Sequence, residues 1–79
     1  MKNKIPETEA DRAFYRQVGR RIRVFRQRAG YTQETFANQH DFDRSHYGEC
    51  ERGCNMTLQN LNRIITALDI SFKQLEEDL

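Results

Sequence analysis

Tryptophan is absent, proline occurs once, at Pro6, and no uninterrupted apolar run exceeds the three residues Ala13, Phe14 and Tyr15. The lack of a long apolar run excludes a membrane-spanning helix and a secretory hydrophobic region. With the single proline near the start, nothing after it breaks a helix or removes a backbone donor. Only two cysteines occur, Cys50 and Cys54. They are too few for a disulfide framework in a chain without an export signal, so both are expected as reduced thiols and the protein as cytoplasmic. At 79 residues the chain is one domain at most, and it buries only about 60% of the surface its unfolded form exposes. Pairing with a second copy is expected to supply the stability that so small a core lacks.

Charge of one sign is scarce overall, with a net of +1, but it is unevenly placed. Residues 12–28 hold seven arginines and no acid, whereas residues 69–79 hold four acids and one lysine. The molecule therefore has a basic end.

What is present is helical punctuation. Thr8 followed by Asp11 makes a capping box, and Gly30 supplies a stop. Between them Phe14, Val18, Ile22, Phe25 and Ala29 recur at intervals of four and three, the stripe of a long first helix. Thr32 caps a short second helix carrying Phe36 and Ala37, which ends at Gln39, His40 and Asp41. Asp43 caps a third, with Tyr47, Cys50 and Glu51 turned inward and Gly53 at its end. Thr57 opens a fourth, striped by Leu58, Leu61, Ile64, Ile65 and Leu68. Ser71 with Gln74 boxes a last helix bearing Phe72, Leu75 and Leu79. No segment alternates as a strand does, so the expected fold is all-α with five helices. Residues 1–10 are expected as a flexible lead and 11–79 as the domain.

A helix, a tight turn and a second helix over 32–53 outline a DNA-binding unit, though outline alone is weak because many bundles contain such a pair. Residue identity adds to it. The run Val18, Gly19, Arg20, Arg21, Ile22, Arg23, then Arg26, Gly30, Tyr31, Thr32, Gln33, Glu34, Ala37, Glu51, Arg52, Gly53, Asn55, Leu58, Leu61, Ile64, Ala67 and Leu68 resembles the Cro and phage-repressor (XRE) helix-turn-helix family. The match runs over 18–75 without a gap. The stretch from Phe42 to His46 resembles the reading segment of restriction-modification controller proteins within that family. Asp41 stands where the family usually has glycine, Met56 where proline is common, and Tyr47 and Cys50 where the recognition helix usually buries isoleucine. Aspartate tolerates a left-handed conformation, so the turn is expected to survive. The resemblance implies a lambda-repressor-like domain that binds double-stranded DNA as a homodimer and regulates transcription.

A recognition helix presents its N-terminal residues to base edges in the major groove. Helical spacing places 44, 45, 48 and 49 opposite Tyr47 and Cys50. Arg44 is the sharpest candidate, because a first-turn arginine can bond guanine O6 and N7 together; the bland alternative is a solvated surface charge. Ser45 can reach a base or a phosphate, His46 lies at the edge of the face, and Glu49 can accept from a cytosine amino group or repel wrong registers. Gly48 costs about 1 kcal/mol against alanine in a helix interior, which points to close helix packing or close approach to DNA, with packing favoured.

Phosphate contacts are assigned to Arg23, Thr32, Gln33, Arg52 and Asn55. Gln33 opens the second helix, where free amides and the dipole already favour an anion. Thr32 serves there chiefly as the cap. By resemblance, Arg52 and Asn55 run beside the opposite strand. The resemblance also implies that Arg26 and Glu51 form a structural ion pair tying the first helix to the recognition helix. The other first-helix arginines go around the cylinder and read as a solvated face.

Three other readings compete with DNA binding. His46, Cys50 and Cys54 recur at intervals of four, but Gly53 ends the helix before Cys54 and no second ligand pair closes a site, so no metal, no cofactor and no redox sensing is expected, with Cys50 as a small core residue and Cys54 as an exposed loop thiol. An enzyme is not expected: there is no phosphate loop, no carboxylate pair in a pocket, and no room for a small-molecule substrate cleft. The serious rival to DNA binding is a protein-interaction module, such as an antitoxin or accessory factor. For the homodimer, the candidate surface is Ile70, Phe72, Leu75 and Leu79, which can instead complete the monomer's core.

Overall fold

Five side chains set where helices begin. In the computed structural model, which describes residues 5–77, Thr8, Thr32, Asp43, Thr57 and Ser71 each accept a hydrogen bond from a backbone amide three residues on. This satisfies one of the donors a helix start leaves open. The helices that follow are α1 (Glu9–Arg28), α2 (Gln33–His40), α3 (Arg44–Glu51), α4 (Leu58–Ala67) and α5 (Phe72–Glu76). No strand occurs among the described residues, and the fold is all-α. Because Thr8 is a working cap, helix begins inside the segment expected as a lead.

Helix ends are set by residues in the left-handed region: Gly30 at φ 89°, Asp41 at 63°, Gly53 at 98° and Asp69 at 59°. Asp41 adopts the conformation glycine usually supplies, so the turn between α2 and α3 survives. Arg63 of α4 steadies it by donating to the Asp41 carbonyl at 3.3 Å, its guanidinium lying 4.5 Å above the Phe42 ring.

Helix α3 packs on α1 and α2, and α5 packs on α1. The core joins Val18, Ile22, Phe36, Ala37, Tyr47, Cys50, Ile64, Ile65, Leu68 and Leu75. Tyr47 and Cys50, in place of aliphatic residues, are both fully buried, and the Tyr47 ring joins Phe36 and Phe42 in an aromatic cluster. Gly19 allows the close approach of α1 and α3. A Cβ there would lie 2.7 Å from the Cys50 carbonyl oxygen and closer still to that of Glu51.

The apolar stripes overrun the core at their ends. Phe14 is 53% exposed, Leu58 82% and Phe72 54%, and Ala29 is exposed as the C-cap of α1. Of the four residues assigned to a dimer surface, Leu75 is fully enclosed by its own chain. It is core, because α5 turns that face onto α1. Ile70 packs half-buried against the core, Phe72 stays outside, and Leu79 lies outside the described residues.

Candidate nucleic-acid interface

Helix α3 buries Tyr47, Cys50 and Glu51 and turns Arg44, Ser45 and Glu49 outward. With Gln33 from α2 and Arg52 from the turn after α3, these three line a concavity of about 380 Å³ floored by Gly48. The atoms nearest a Cβ at Gly48 are side-chain tips, from Gln33 of α2 and from Arg52, so what lies close is a side chain of the neighbouring helix and not its backbone. A Cβ at this position would meet Arg52 Nη1 at 3.2 Å and Gln33 Oε1 at 3.4 Å. Glycine keeps the floor low so that these two side chains lie across the outer face of α3.

The orientation of that face is fixed from behind. Arg26 of α1 donates from Nε to Glu51 Oε2 at 2.9 Å and from Nη2 to Oε1 at 2.8 Å. Its remaining Nη1 donates to the Tyr31 carbonyl at 2.9 Å. Gln33 Nε2 adds a third donor to the carboxylate, at 3.0 Å from Oε1. The Arg26 and Glu51 side chains are both buried, and the enclosed Tyr47 hydroxyl lies beside them without a well-formed hydrogen bond of its own. Burial pushes the Glu51 carboxyl up, but the Arg26 guanidinium, the Tyr47 hydroxyl and the Gln33 amide outweigh it and hold the group below its ordinary value. The Glu51 hydrogen bonds hold Arg26 above its own. Three helices thus meet on one carboxylate.

Other residues singled out in the sequence lie elsewhere. His46 is exposed at the edge of α3 but its ring is engaged sideways: Nε2 lies 2.8 Å from Asn60 Nδ2 of α4 and Nδ1 lies 3.8 Å from Glu49 Oε1. Thr32 is occupied by its cap, exchanging hydrogen bonds with Thr35. Asn55, on the loop after α3, donates to Glu7 Oε2 at 3.3 Å, and Arg23 is exposed on α1 outside the concavity.

Three supporting residues escaped sequence reasoning: Arg63, which braces the turn; Asn60, which holds His46; and Arg21, which donates to the Leu75 and Gln74 carbonyls at 3.2 and 3.4 Å and ties α1 to α5. Their partners are 14 to 54 residues away, so no local pattern marks them. Among the described residues, no helix is long and apolar enough to cross a membrane.

No protein-family model matches the sequence, and no curated protein does. Solved structures share the fold, two of them as follows. The restriction-modification controller protein C.AhdI from Aeromonas hydrophila is 41% identical, with a TM-score of 0.73, over 80% of this chain and 97% of that one. The hypothetical transcription factor NHTF from Neisseria is 26% identical, with a TM-score of 0.72, over 95% of this chain and 84% of that one. Identity at that level along almost the whole of the controller, with the same five-helix fold, shows that this chain belongs to the XRE-like helix-turn-helix regulators typified by the restriction-modification controllers.

Proposed function

We propose that the protein is a dimeric repressor or controller that binds a palindromic operator in double-stranded DNA and is not an enzyme. The observation that carries this reading is the outward face of α3, where Arg44 in the first turn and Arg52 just past the last bracket Ser45, Gly48 and Glu49 in one concavity with Gln33. A major-groove helix needs this arrangement: a fork donor at its N-terminal end for guanine and cations at the rim for phosphates. Glu49 sets registers by accepting from cytosine or repelling phosphate. Ser45 bonds a base or backbone oxygen, and His46, held by Asn60, borders the reading face.

The α2 N-terminus with Thr32 and Gln33 faces one phosphate; Arg52, Asn55 and Arg23 hold others without reading sequence. Two copies related by a two-fold axis place two reading helices about one helical turn apart. Phe72, with Ile70 behind it, is the part of the expected dimer surface that remains outside the core.

A second reading, a protein-interaction module, has its own support. Phe14, Tyr15, Val18, Cys54, Met56, Leu58 and Leu61 line an apolar groove of about 210 Å³ separate from the Arg44 concavity. One experiment separates the two. Duplexes selected from a random library at near-physiological salt should converge on a two-fold symmetric site, and its guanine preference should fall by about 1 to 3 kcal/mol in Arg44→Ala. Selection that enriches no sequence would sink the operator reading in favour of the interaction module.

A further inference from the structure

The two thiols, absent from the DNA-binding reading, meet at the end of the reading helix. Cys50 is buried in the last turn of α3 and Cys54 is half-buried just past Gly53. Their sulfurs are 3.8 Å apart, with the Cys54 thiol donating to Cys50 Sγ. A disulfide requires about 2.05 Å, so a side-chain movement of under ~2 Å joins them. Cys54 also lines the apolar groove beside Phe14 and Met56, which admits a small neutral oxidant to one sulfur only.

We propose that Cys50 and Cys54 form a dithiol that a peroxide closes into an intramolecular disulfide, and that closure weakens DNA binding. Cys54 gives up its proton to solvent and attacks one peroxide oxygen; the O–O bond breaks, leaving a sulfenic acid on Cys54 and a hydroxide that takes up that proton as water. Cys50 Sγ then attacks the Cys54 sulfur, the S–O bond breaks, and the departing hydroxyl takes the Cys50 proton as water. Both sulfurs are oxidised, and one hydrogen peroxide is reduced to two waters. The roles follow from environment. Burial, with the neighbouring Cys54, pushes the Cys50 thiol up to about 12, so it stays protonated until a sulfenic acid stands beside it.

The effect on recognition rests on the operator reading and on what surrounds Cys50. Its sulfur also touches Asn60 Nδ2 at 3.8 Å and His46 Nε2 at 4.0 Å, the contacts that seat the side of α3 against α4. The tail of α3 has no room to absorb the movement by shifting closer to α1. A Cβ on Gly53 would lie 2.8 Å from Arg16 Cα, and Gly19 abuts the Cys50 and Glu51 carbonyls. Drawing Cys50 Sγ toward Cys54 therefore takes it from His46 and Asn60 and shifts the reading helix.

The test uses the purified, reduced full-length protein, with thiols counted by N-ethylmaleimide adducts in denatured intact-mass spectra. Two adducts are expected before hydrogen peroxide and none after, with the mass lower by two hydrogens and both changes reversed by dithiothreitol. Operator affinity should fall about tenfold, the order of one lost base contact. Cys54→Ser should bind as the reduced parent does and be indifferent to peroxide. Two adducts after peroxide, a disulfide joining two chains on a non-reducing gel, or equal peroxide sensitivity in Cys54→Ser would each overturn the proposal, as would a closed disulfide with unchanged affinity. Closure in a protein that binds no operator in either state supports the dithiol and counts against the operator reading alone.

Discussion

Alanine at position 19 and alanine at position 48 make one chemical change in two helix interiors, and the structure requires opposite results. Each gains about 1 kcal/mol from helix propensity. At Gly19 the new methyl would lie 2.7 Å from the Cys50 carbonyl oxygen and nearer that of Glu51. Both oxygens belong to a backbone fixed by the Arg26–Glu51 pair. Overpacking costs about 1 to 3 kcal/mol, and an obstacle of backbone belongs at the upper end, so Gly19→Ala should lose about 2 kcal/mol net. For a domain this small that is a fall in melting temperature on the order of 10 °C. At Gly48 the nearest obstacle is the tip of Arg52 at 3.2 Å, which swings aside, while Gln33 Oε1 at 3.4 Å is at ordinary contact distance and can stay on Glu51. Gly48→Ala should therefore gain up to about 1 kcal/mol and melt a few degrees higher, near ~5 °C, while its methyl raises the floor of the reading face and weakens DNA binding. Far-UV circular dichroism melts at one fixed protein concentration test both, since association shifts the midpoint. A Gly19→Ala protein that melts at or above the parent would refute the close approach of α1 and α3.

Two further variants probe the carboxylate and the rim. Because Glu51 is held below its ordinary value of 4.5, the stability it contributes is present in full above that pH and is lost as pH falls through the lower folded value. Glu51→Gln should cost about 3 kcal/mol near neutrality, as a broken buried pair does. Its gap to the parent in urea unfolding should then shrink steadily below pH 4.5; a constant gap into acid would contradict the assignment. Arg52→Ala should weaken all DNA sequences alike and reduce the slope of log affinity against log salt by about one, measured by fluorescence anisotropy, whereas a base-specific loss would make Arg52 a reader.

Legibility followed distance along the chain. Every helix start was readable because a cap is a relation between residues three apart, as between Ser71 and Gln74 or between Thr8 and Asp11. The box at Thr32 was seen only in half, since its partner is Thr35 and not an acid or amide. Stripes were readable in their middles and misleading at their ends: Phe14 and Leu58 keep the helical period but extend past the helices that would cover them. Gly48 was read for closeness but not for its neighbours, because a helix-interior glycine signals something close by without saying what. Here the neighbours are two polar side chains. His46 was placed at the edge of the reading face, and its engagement by Asn60 depends on how α4 crosses α3, which no pattern in either segment encodes.

On the operator reading proposed above, orientation and specificity are separated in this site. Glu51 receives Arg26 from α1 and Gln33 from α2, and Arg26 also holds the Tyr31 carbonyl between them. A buried pair of this kind adds little net stability, because desolvation offsets attraction, but breaking it is costly. Its effect is to fix one angle of α3 against two helices. The outward residues Arg44, Ser45 and Glu49 are exposed, so exchanging them changes what can be read without disturbing what aims the helix. Arg44 variants should then alter sequence preference at unchanged stability, and Glu51 variants should lose stability and affinity for all sequences together. An Arg44 variant that unfolds, or a Glu51 variant that loses discrimination at one base while keeping its stability, would show that aiming and reading are not divided in this way.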